Sequence, residues 1–286
     1  MYTLNSDTYS LIIQSLPIEA INHLQVTTIT NFQQLTTLRN TNNFWKLRLQ
    51  KVLDIQISYI PTTETWHQLY TKITSGDLNL SQKLIKFIQT GDIQAVQLLI
   101  EVGADVTANN NQAICEASRN GHTEVVKLLV EAGADVTTNN NEPICEASGL
   151  GHTEIVQVLL NAGANVTAVD NFAIRWASRN GYSQVVQILL KAGADVTANN
   201  NEAIRQASNN GYSEVIELLI QAGADVTAEN NEAIWEASRN GYSKVVKLLI
   251  QAGADVTARN NNLIREASCQ EYIQIVKLLI QAGATL

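Results

Sequence analysis

Glycine returns every thirty residues along most of this chain. It stands at 91, 121, 151, 181, 211 and 241, and a second series at 103, 133, 163, 193, 223, 253 and 283 keeps the same step. A strict period of this length, free of insertions, describes one supersecondary unit stacked on copies of itself, because such a unit cannot bury its apolar face alone. Seven units are counted, the first, near residues 79–108, being degenerate. Glu271 takes the place of the next glycine in the first series, so the last unit departs from the pattern as well.

The stretch "NNNEAIRQASNNGYSEVIELLIQAGADVTA", residues 199–228, shows the unit's grammar. Ala203, Ile204 and Ala207 share one face at helical spacing, which predicts a short helix from Glu202 to Ser208. Asn210 and Gly211 form a turn pair, both tolerating positive φ. Ser213 is expected to cap a second helix that carries Val215, Ile216, Leu218, Leu219 and Ile220. Gly223 supplies the left-handed residue that ends that helix. Glu142, Glu202 and Glu232 fall in the first turn of the short helix, where the helix dipole favours an anion. Pro143 also fits only a first turn. The expected fold is all-α, a solenoid of helix–turn–helix units over residues 79–286 behind a small helical domain at 1–78.

"NGHTEVVKLLVEAGADVT" and "NGYSEVIELLIQAGADVTA" resemble the second half of the ankyrin repeat, and "AIRQAS" stands where that family has its Pro-Leu-His-x-Ala-Ala helix. The resemblance covers about residues 79–286. The usual ankyrin unit has about 33 residues. The three missing here fall between "ADVTA" and "AI", at the family's β-hairpin finger, so a short Asn-rich turn is expected instead. The family's His is Arg, Cys or Trp. The compact form, with "AIRWAS" and "NNNEAIR", is similar to ankyrin proteins of large DNA viruses of amoebae.

Ankyrin proteins grip partner proteins on a concave side, and the resemblance implies the same use here. The positions equivalent to 112, 115, 116 and 119 share the expected outward face of the short helix and vary while the inward positions do not. Phe172, Arg175, Trp176, Arg179, Arg205, Asn209, Trp235, Arg239 and Arg265 are therefore the candidate partner-binding residues, Trp and Arg being the types that dominate binding hot spots. A second reading stands beside this one: Trp176 packs against a neighbouring repeat, and the arginines pair with Glu202, Glu232, Glu236 and Glu266 at little net gain.

No set of residues suggests catalysis. His122 and His152 follow the turn glycine and are replaced by Tyr182, Tyr212 and Tyr242, so they read as braces for a helix start and not as general bases. No Cys or His pair has zinc spacing, and no G-x-x-x-x-G-K-[ST] loop occurs. The expectation is no enzyme, no cofactor and no metal. The net charge of −8 lies wholly in the repeats, since residues 1–78 carry five basic and five acidic side chains. An acidic body argues against nucleic acid as a partner. No run has the length of a membrane-spanning helix, and the first twenty residues lack the basic start and apolar core of a signal peptide. Cys115, Cys145 and Cys269 read as free thiols of an intracellular, cytoplasmic protein, in the host cytoplasm if the viral resemblance holds. A monomer is expected.

Residues 1–78 do not repeat. "LPIEAINHL" followed by "FQQLTTLRNTNNFWKLRL" resembles an F-box, with Leu16, Pro17, Ile21, Leu24, Phe32, Leu35, Leu38 and Trp45 on its pattern. The stretch is shorter than usual, and "TLRN" replaces a typical Val-Cys pair. The resemblance implies docking to the adaptor subunit of a cullin-type ubiquitin ligase through residues 16–53, with the repeats choosing the substrate. The alternative is a plain adaptor or decoy scaffold whose first 78 residues are only a helical cap on the first repeat, which any solenoid needs.

Overall fold

The computed structural model of the protein describes residues 79–101 and 103–285. The F-box-like pattern and its docking residues lie outside these described residues. Fourteen α-helices and no strand occur among them, in seven successive pairs: α1 (Leu80–Thr90) with α2 (Ile93–Glu101), α3 (Ala108–Arg119) with α4 (Thr123–Glu131), α5 (Thr138–Gly149) with α6 (Thr153–Asn161), α7 (Ala168–Asn180) with α8 (Ser183–Lys191), α9 (Ala198–Asn210) with α10 (Ser213–Gln221), α11 (Ala228–Arg239) with α12 (Ser243–Gln251), and α13 (Ala258–Cys269) with α14 (Ile273–Gln281).

Each pair buries the residues its sequence assigns inward. In α9, Ala203, Ile204 and Ala207 are inaccessible, and in α10 so are Val215, Ile216 and Leu219, while Leu218 and Ile220 are half-buried. The first helix of each pair from α3 onward turns one or two alanines inward, so these helices stack on one another more closely than the second helices do. Burying a Val, Ile or Leu side chain contributes about 1.5–3 kcal/mol. Recurring in every unit, these contacts make one continuous core with no boundary between repeats.

The connection between pairs carries the unexpected geometry. Asn199, Asn200 and Asn201 all have positive φ (51°, 56° and 59°), one left-handed turn immediately ahead of the right-handed part of α9. The same triplet recurs at 109–111, 139–141, 169–171 and 229–231. The predicted Asn-rich turn is thus a left-handed one. L-residues other than Asn and Asp pay roughly 1–2 kcal/mol in this region. The third Asn of the triplet also reaches across the stack. The Asp225 N–H donates to Asn201 Oδ1 at 2.7 Å, and Asp135, Asn165, Asp195 and Asp255 donate in the same way to Asn111, Asn141, Asn171 and Asn231. Asp225 Oδ1 in turn accepts from the Thr227 N–H and hydroxyl, which closes the "ADVT" turn over the buried Val226.

Two capping expectations part ways. Gly223 has φ +91°, its N–H donates to the Ile220 carbonyl, and the Ala224 N–H reaches the Leu219 carbonyl, so the predicted helix end is as expected. Ser213 does not cap α10. It is the helix's first residue, and Tyr212 holds the cap position without a side-chain bond. The ring of Tyr212 has another task. A Cβ placed on Gly181, one unit earlier, would lie 2.6 Å from Tyr212 Cδ1. His122, His152, Tyr182, Tyr242 and Tyr272 lie over Gly91, Gly121, Gly151, Gly211 and Gly241 in the same way. A flat ring on a bare glycine is the seam between units along this edge, which is why His and Tyr are interchangeable there.

Candidate partner-binding face

The short-helix positions 112, 115, 116 and 119, and their equivalents, differ more in exposure than the helical wheel implies. Only the last position is exposed in most units: Arg119, Arg179, Asn209, Arg239 and Cys269. Phe172, Trp176 and Trp235 are half-buried. Cys115 and Cys145 are buried, at 5% and 7% exposure, which corrects their placement on the outward face. The cause is geometric: stacking at close range encloses position 115 between neighbouring helices. Burial, and for Cys115 next the Glu142 carboxylate, pushes the two thiols up to about 12 and about 11. They stay protonated and are poor nucleophiles. Among the described residues, no group of three or more His, Cys, Asp or Glu side chains could hold a metal ion.

Arg175 and Arg205 belong to the scaffold. Arg175 Nε donates to Glu202 Oε2 of the next unit at 2.7 Å, and its Nη1 donates to the Val169 and Asp170 carbonyls of the left-handed turn. Arg205 pairs with Glu232 in the equivalent place and also reaches the Asn199 carbonyl. The expected pairing with Glu202 and Glu232 is therefore present. No ion pair involves Glu236 or Glu266 among the described residues. Arg259, which sequence reasoning passed over, lies above the Trp235 ring at 5.3 Å and donates to the Glu229 and Asn230 carbonyls.

Phe172, Arg175 and Trp176 form one cluster. The two rings are 5.1 Å apart at 55°, and the Arg175 guanidinium lies 5.6 Å from the Phe172 centroid. Trp176 packs backward on Gly149, where a Cβ would come within 2.4 Å of the indole. Gly149 stands where the other units place Gln, Arg, Asn or Cys, so the indole occupies room made by that missing side chain. Arg179, Arg239 and Arg265 are exposed and make no ion pair among the described residues, and Asn209 accepts from Asn240 Nδ2.

The family model described as ankyrin repeats (3 copies) matches residues 72–140, 137–200, 174–260 and 204–286. The chain belongs to the ankyrin-repeat family. Ankyrin repeats are protein–protein interaction modules. No curated protein matches the sequence. Among solved structures, the human ASB11 ankyrin repeat domain is similar over 71% of this chain and 98% of that one, at 22% identity and TM-score 0.63. The ankyrin repeat domain of Bcl-3, described as a unique member of the IkappaB protein family, is similar over 72% and 99%, at 24% identity and TM-score 0.57. At these identities the likeness establishes the fold of this ankyrin array. Among the described residues no helix is long and apolar enough to cross a membrane.

Proposed function

We propose that this ankyrin array is a binding scaffold without enzymatic activity, and that it holds a partner protein along the outward edge of α5, α7, α9, α11 and α13. One observation carries the reading. The sequence varies from unit to unit along this edge, where exposed arginines (Arg179, Arg239, Arg265) and Asn209 adjoin the half-buried Phe172, Trp176 and Trp235, while the inward residues barely change. Aromatic anchors beside unpaired arginines match the composition of interface hot spots. Arg175 and Arg205 support the edge from within. The protein acts as an intracellular monomer, in the cytoplasm, in keeping with free thiols at Cys115, Cys145 and Cys269.

The F-box-like pattern at residues 16–53 supports a finer reading, in which the bound partner is carried to a cullin-type ubiquitin ligase. The test is affinity capture from amoebal lysate with three full-length baits: the native chain, the chain with Arg179→Glu and Arg239→Glu, and the chain with Ile21→Asp and Leu24→Asp. Substrates lost with the first pair, and a cullin with its adaptor lost with the second, are the expected outcome. Capture of the same proteins by all three baits would remove both readings. Partners lost only with the arginine pair, with no ligase subunit in any lane, would leave a plain adaptor whose first 78 residues cap the array.

A further inference from the structure

Arg119 and Arg179 occupy the same place two units apart, and their surroundings differ. Arg119 is held by three carboxylates: Glu142 at 3.1 Å, Glu146 at 3.2 Å and Glu116 at 3.7 Å. The residues equivalent to these for Arg179 are Glu202, Gln206 and Trp176. Two of the three carboxylates are thus absent by sequence. The third, Glu202, is engaged by Arg175 Nε and by Asn199 Nδ2. Arg179 is left exposed and without an ion pair among the described residues, one helical turn from the Phe172–Trp176 cluster. Arg239 also makes no ion pair among the described residues, but Glu236 and Glu266 stand at two of the equivalent positions and make its surroundings acidic, which those of Arg179 are not.

We infer that Arg179 is the docking point for a carboxylate of the partner, and that the recognised element is an extended segment with an acidic side chain two residues from an apolar one. This rests on the outward edge being the binding face. Arg179 and Trp176 are neighbours at i and i+3, with Cβ atoms about 5–6 Å apart. Same-side residues of an extended chain are spaced by about 6.5–7 Å, so an acid-x-apolar pattern sets the carboxylate on the guanidinium and the apolar group on the two rings. A guanidinium–carboxylate pair is the stronger kind of hydrogen bond. At Arg119, Arg175 and Arg205 that strength is spent inside the protein, on Glu142, Glu146, Glu202 and Glu232.

The experiment is selection of a random-peptide display library on the full-length chain, with selected peptides remeasured against variants. The expected result is enrichment of acid-x-apolar peptides whose affinity falls about tenfold or more with Arg179→Gln and hardly changes with Arg119→Gln. Selection on Arg179→Glu should favour Lys or Arg at the acidic position. Thermal melts equal to the parent's keep the comparison to binding. Peptides that depend on Phe172 and Arg239, yet show no acidic preference and ignore Arg179→Gln, would overturn this inference and leave the binding face standing. Peptides indifferent to every substitution along the edge would overturn both.

Discussion

The Asn201 amide is where one unit recognises the next, and removing it has a calculable effect. Asn201→Gly keeps a residue at ease with φ near +59° but leaves the Asp225 N–H without its acceptor. Asn201 is only 7% exposed, while Asp225 lies at the surface, where water can reach a freed N–H. Loss of such a bond costs about 0.5–1.5 kcal/mol. Asn201→Ala loses the same bond and adds the left-handed penalty of roughly 1–2 kcal/mol, so a loss of about 1.5–3.5 kcal/mol is expected. Asn200→Gly is the matched control: its φ is +56°, its side chain is exposed, and it reaches only the Glu229 carboxylate. That change should stay within about 0.5 kcal/mol. Long arrays need not unfold in a single step, so urea titration by circular dichroism should be paired with amide hydrogen exchange read at Asp225. The order Asn200→Gly, Asn201→Gly, Asn201→Ala, with protection of the Asp225 amide lost in the last two, is the expected outcome. Equal midpoints for the two glycine variants, or an Asp225 amide that stays protected, would refute the argument.

Val169 is a β-branched residue at φ +50° with half its surface exposed, so Val169→Asn should raise the melting temperature by relieving about 1 kcal/mol of strain; an unchanged melt would contradict this. Ser118, Ser148, Ser178, Ser208 and Ser238 bury hydroxyl oxygens without a partner. Since Ile88 fills the same place in the first unit, Ser208→Ala is expected to be neutral or stabilising by about 1 kcal/mol in chemical denaturation, and a clear loss would count against it. Gly193→Val meets open space at φ +92°, so its expected loss of about 2 kcal/mol is wholly backbone strain, measurable as a lower melting temperature. Gly149→Ala should displace the Trp176 indole and shift its fluorescence, an effect absent in a Trp176→Leu background.

The solenoid was legible because its signals are local. The Ala203, Ile204, Ala207 face and the helix-ending Gly223 each follow from a period or a φ preference, and both are present as expected. The long-range bonds were not legible by those rules. Asn in a turn is explained by conformational tolerance alone, so nothing demanded that Asn201 also accept from the next unit. A signal existed nonetheless: the first Asn of the triplet becomes Val169, Glu229 or Arg259 and the second becomes Asp170, whereas the third never changes. Cys115 and Cys145 were misplaced for a related reason. A helical wheel assigns faces relative to one neighbour, and a helix stacked on both sides has two.

Because the joint between repeats recurs almost unaltered, an amide to the next backbone N–H and a ring over the previous glycine, any two joints are interchangeable. Recombination that drops or duplicates a whole thirty-residue block rejoins an equivalent joint, and the core does not register the event. What such an exchange alters is the order of the outward side chains. The gene for a chain built in this way can lengthen, shorten or reshuffle its recognition edge without first having to re-evolve a stable protein.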